Sequence, residues 1–94
     1  MFFSTYRQVL KIKIIPRFKS PSTATFPKYE SSMLIESSGL LGSKKEIETY
    51  IDSQNSYGAI VRTKVKIKLD DDYNFVSVKT KDIISLVWTP FFYN

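Results

Sequence analysis

The sequence predicts a small α+β domain: an antiparallel β-sheet or partly open barrel, ending in a β-meander, with one short α-helix packed on it. Three observations predict this. Val61, Thr63, Val65, Ile67 and Leu69 alternate without a break with Arg62, Lys64, Lys66 and Lys68, the period of a strand buried on one face. Ser43 stands three residues before Glu46, a capping box, and Ile47, Tyr50 and Ile51 follow at helical spacing. The 94 residues are 43% hydrophobic and 15% aromatic, which suffices for one core and is too apolar for a disordered chain, so residues 1–94 are expected to form a single domain.

In chain order, Gln8 to Ile15 reads as a first strand, with Leu10, Ile12 and Ile14 on one face and Lys11 and Lys13 on the other. Pro16 stops it, because proline cannot donate to a ladder. Residues 16–32 carry three prolines and six Ser or Thr and read as a loop or extended arm. Met33 to Glu36 offers a short strand. The capping box opens a helix over residues 43–54, which Asn55 and Gly58 end. The alternating strand 61–69 then meets a turn at Asp70–Asn74, a return strand from Phe75 to Lys79, a second turn at residues 80–82 and a third strand from Ile83 to Trp88. Pro90 closes the meander and leaves residues 90–94 as an aromatic tail.

Composition excludes several function classes. The chain has neither Cys nor His, so disulfide scaffolds, thiolate metal sites and catalytic dyads or triads built on those residues are excluded. With three glycines in all, no phosphate-cradling loop is present. Asp70-Asp71-Asp72 lacks the spacing of a calcium loop and reads as a hairpin turn. No metal, no cofactor and no catalytic activity are therefore expected, and no apolar run is long enough to span a membrane.

Charge carries the functional reading. The net charge is +5, and the first 29 residues hold six cations and no acid. That opening resembles a mitochondrial transit peptide in composition, although a strand pattern from Val9 to Ile15 argues against the amphipathic helix such a peptide needs. The cysteine-free composition fits a reducing compartment, so a cytoplasmic location is expected. If the strand at 8–15 joins the sheet of 61–69 with the same side outward, Arg7, Lys11, Lys13, Arg62, Lys64, Lys66 and Lys68 share one surface. Like charges across adjacent strands repel, and such a face gains from a polyanion whose phosphates release their counterions. The first expectation is thus a nucleic-acid-binding protein or ribonucleoprotein subunit that grips the phosphate backbone. The alternative is a protein-interaction module, a phage-type inhibitor or assembly subunit, docking through a strand edge or through Trp88, Phe91, Phe92 and Tyr93. The bland counterparts are a solvated lysine face and an aromatic core.

Overall fold

A computed structural model describes residues 6–18, 20–40, 42–82 and 88–90. Five antiparallel strands form one open sheet in chain order: β1 (Leu34–Gly39), β2 (Gly42–Gln54), β3 (Ile60–Leu69), β4 (Phe75–Asp82) and β5 (Thr89–Pro90). β1 and β5 are its edges, so within the described residues the sheet does not close into the barrel allowed by the sequence. One helix precedes it over residues 6–14, and no helix among the described residues is long and apolar enough to cross a membrane.

The meander holds. β3 and β4 cover the two alternating runs, and β1 covers the short strand expected from Met33. The strand expected over 83–88 falls largely outside the described residues, and β5 pairs with β4 from Thr89 onward.

Two elements are exchanged relative to the sequence reading. Residues 43–54, expected as a helix, lie inside β2. Ile47 and Ile51 are four apart, a separation that satisfies both periods, and Tyr50 alone tilted the pattern toward a helix. In the sheet Ile47, Thr49, Ile51 and Ser53 are buried at a period of two, while Tyr50 lies on the other face. The Ser43 hydroxyl donates to the Asp71 carboxylate at 2.7 Å instead of capping anything.

Conversely, residues 8–15, expected as a strand, are helical. Tyr6, Val9, Leu10 and Ile14 are buried, the i, i+3, i+4, i+8 stripe of a helix, while Ile12, central to the strand pattern, is 68% exposed. Four β-branched residues between Val9 and Ile15 favour a strand locally, and packing overrides them. The last turns widen, with the Ile15 amide donating five residues back to the Leu10 carbonyl. A tight turn over Ile15–Arg17, with Pro16 in it, ends the helix.

The helix stripe and the inner face of the sheet (Ile47, Ile51, Val65, Ile67, Leu69 and Val78) form one apolar cluster. Tyr6 joins its parts. Its hydroxyl donates to the Pro27 carbonyl at 2.7 Å and accepts from the Thr49 hydroxyl at 3.0 Å, and its ring meets Phe26 edge-on. Of the two expectations for residues 16–32 the loop holds and the extended arm does not: the described residues of this span run along β2, where Thr25 and Asp52 exchange backbone hydrogen bonds of 2.8 and 2.9 Å.

The two hairpins flanking β3 are closed by the same five-residue loop. In 55–59, Asn55 Oδ1 accepts from the amides of Tyr57 and Ala59; in 70–74, Asp70 Oδ1 accepts from those of Asp72 and Asn74. The backbone bonds match as well, Asn55 to Ala59 and Asp70 to Asn74 at 2.9 Å each. The fourth residue is left-handed in both, Gly58 at φ 82° and Tyr73 at φ 63°. One β-bulge, between Lys68 and Leu69, follows the second loop and skips Val76.

Tyr6→Phe leaves Thr49 and the Pro27 carbonyl short of a buried partner and is expected to cost about 1–3 kcal/mol in urea denaturation. Tyr6→Ala, which also empties the cluster, is expected to cost about 3–5 kcal/mol. The loops should part in acid. Hydrogen bonds from Asn74 and Asp72 hold the Asp70 carboxyl below its usual range. Its contribution is therefore complete above the ordinary aspartate value of about 3.9 and is lost as pH falls through the lowered one. Amide exchange at Asp72 and Asn74 should accelerate there, while Tyr57 and Ala59, held by the non-titrating Asn55, should not respond.

Candidate nucleic-acid interface

The outer face of the sheet carries the even-numbered residues of β2 and β3. The β2–β3 register sets Glu46 opposite Lys68, Glu48 opposite Lys66, Tyr50 opposite Lys64 and Asp52 opposite Arg62. The carboxylates of β2 thus interleave with the cations of β3. Arg62 donates from Nε and a terminal nitrogen to the two Asp52 oxygens at 2.8 and 2.9 Å, which holds the Asp52 carboxyl below its usual range. Lys66 lies 4.0 Å from Glu48, and Lys44 lies 3.4 Å from Glu46.

The β3–β4 side is different. Lys64 stands directly opposite Lys81, and Lys66 directly opposite Lys79. Among the described residues seven cations (Lys44, Arg62, Lys64, Lys66, Lys68, Lys79 and Lys81) share this face with three carboxylates. Among the described residues Lys64, Lys68, Lys79 and Lys81 form no ion pair. Opposed like charges destabilise a sheet by a few tenths of a kcal/mol each, up to about 1.

Two aromatic rings lie among these cations. The Arg62 guanidinium stacks 3.7 Å above the centre of Tyr50. Trp88 receives the ammonium groups of Lys66 at 4.5 Å and Lys81 at 5.3 Å, joining the edge of the sheet to its cationic face. Two shallow recesses open here. One, of about 290 Å³, is walled by Lys44, Lys66, Lys68 and Lys79 with Glu46 and Ser77. Glu46 Oε1 is buried in the structure without a hydrogen bond, its nearest cation being the Lys44 ammonium at 3.4 Å. The other, of about 230 Å³, is walled by Tyr50, Arg62, Lys64 and Trp88 with Glu48.

The seven-cation surface expected from the sequence is not assembled. Arg62, Lys64, Lys66 and Lys68 do share a face. Arg7, Lys11 and Lys13 belong to the helix, which covers the opposite face, where Lys13 sits 5.3 Å from the centre of the Phe75 ring. The cause is the exchange of helix and strand described above. The sequence reading also missed Lys44, Tyr50, Lys79 and Lys81 as members of the outer face. A signal for two of them was present: a hairpin around Asp70–Asn74 brings the alternating Ser77, Lys79 and Lys81 against the alternating row of β3. Trp88, expected as a partner anchor, lies against lysines, and Phe91, Phe92 and Tyr93 lie outside the described residues. Among the described residues no three Asp, Glu, His or Cys side chains converge as a metal site would require.

Comparison with known proteins finds no matching family model, no matching curated protein and no matching solved structure. The geometry of the face is therefore what carries the functional reading.

If the β3–β4 lysines repel as their register implies, Lys79→Glu, which sets a carboxylate opposite Lys66, should raise stability by about 0.2–1 kcal/mol. Urea denaturation in low and high salt checks this, and the gain should shrink as salt screens it.

Proposed function

We propose that this protein is a non-catalytic nucleic-acid-binding module, of the kind that serves as a small subunit of a ribonucleoprotein, and that it holds the phosphate backbone on the outer face of β3 and β4. The observation that carries the reading is the direct opposition of Lys64 to Lys81 and of Lys66 to Lys79. A sheet that needed only solubility could alternate signs on both sides of β3, as it does toward β2. Toward β4 it keeps like charges face to face, an arrangement that a phosphate between the strands relieves. The recess walled by Lys44, Lys66, Lys68 and Lys79 offers such a seat. The acids of the β2 row, Glu46, Glu48 and Asp52, leave most of the phosphate contacts to the lysines of β3 and β4.

One observation favours a second reading. β1 is an edge strand of six residues, exposed from Ile35 to Gly39, onto which a partner's strand could add. Backbone pairing of that kind depends little on salt, so the two readings separate in a single titration.

Fluorescence anisotropy with a labelled oligonucleotide tests the proposal. Four phosphate contacts, one for each unpaired lysine, predict an affinity that falls roughly 50- to 150-fold between about 50 and 200 mM salt. The pair Lys64→Glu and Lys79→Glu should weaken binding at least about tenfold. Arg7→Glu with Lys11→Glu, on the far side of the sheet, should change it by no more than about twofold. Salt-independent binding, or equal losses from both pairs, would overturn the proposal.

A further inference from the structure

We infer that the nucleic acid held on this face is single-stranded, and that one of its unpaired bases enters the recess between Tyr50 and Trp88. This rests on the phosphate-binding reading above and adds the kind of strand. A surface built only for phosphates has no use for aromatic rings, yet the tryptophan lies in the middle of the lysines that would bind them. The recess, about 230 Å³ and open to solvent, gives a planar base room to lie against its rings. Its walls carry what a base uses: the Trp88 ring and, backed by Tyr50, the outer plane of the Arg62 guanidinium for stacking, and Glu48 and Lys64 as acceptor and donor for the base edge.

The two recesses succeed one another along β3. The lysine-walled one includes Lys66 and Lys68, and the aromatic one includes Lys64 and Arg62. Same-face neighbours on a strand are about 6.6 Å apart, so a phosphate seat and a base seat lie side by side. The ammonium groups of Lys66 and Lys81, now over the indole, can turn to phosphate oxygens when the strand arrives and leave a ring face to the base. A duplex cannot use this arrangement. Its bases are stacked inward, and its major groove admits a helix or a two-stranded ribbon, whereas this face spans β2, β3 and β4.

Trp88 is the chain's single tryptophan, so its fluorescence reports on the recess alone. The full chain is titrated at low salt with a single strand of about 10 nucleotides, with an abasic strand of equal phosphate count, and with a duplex of the same sequence. The base-bearing strand should quench Trp88 and bind roughly 5- to 150-fold more tightly than the abasic one. Trp88→Ala should abolish that difference while leaving abasic binding and the urea midpoint near their original values, and Trp88→Phe, followed by anisotropy, should keep most of it. Equal affinity for all three ligands would overturn the base seat and leave the phosphate reading standing. Binding to none of them would overturn both.

Discussion

β3 is held in register on both sides by two copies of one loop, and that register decides what each face of the molecule becomes. Asn55 and Asp70 each gather two amides of their own loop, and each loop places its fourth residue in the left-handed region. Ten successive residue pairs follow from the first loop. Since side chains alternate along a strand, a slip of one residue would send Lys64, Lys66 and Lys68 into the core and Val65 and Ile67 into water. The loops and the burial of that apolar row enforce the same alignment.

From this alignment the inner and outer faces acquire opposite characters. Inside, Val65, Ile67 and Leu69 meet Ile47, Ile51 and Val78 under the helix. Outside, the same strand faces acids on one flank and lysines on the other. The charge asymmetry is thus a cross-strand property. Net charge alone does not contain it, because three of the cations that raise the total, Arg7, Lys11 and Lys13, lie across the sheet from the face in question.

What could be read from the sequence follows from how many residues each pattern rests on. β3 was legible because nine successive residues agree on one period. The helix and β2 were each read from three apolar positions. For β2, two of those three fit either period. For the helix, Val9, Leu10, Ile12, Ile14 and Ile15 contain both a strand pattern and a helix stripe, and only the inclusion of Tyr6 decides between them. That choice depends on the Tyr6 hydroxyl meeting Thr49, 43 residues away, which no local window includes. The basic strip was half legible: the β3 row is plain in the sequence, whereas its opposition to β4 needs the hairpin register, and Tyr50 and Trp88 needed the fold itself.

The separation between Tyr6 and Thr49 bears on how the chain is made. Synthesis produces the helix first, and a helix this short is marginal in water without a surface to pack on. Its partners arrive much later: Ile47 and Ile51 with β2, Val65 and Ile67 with β3, Val78 with β4. The sheet is built from local hairpins and can zip as each loop emerges, whereas the core has to wait for residues 6–14, made before any strand, to pack over it. A nascent chain stalled before β4 would therefore expose an apolar helix stripe and an unfinished strand edge together, which makes the interval between β3 and β4 the one in which these elements most need a chaperone's cover.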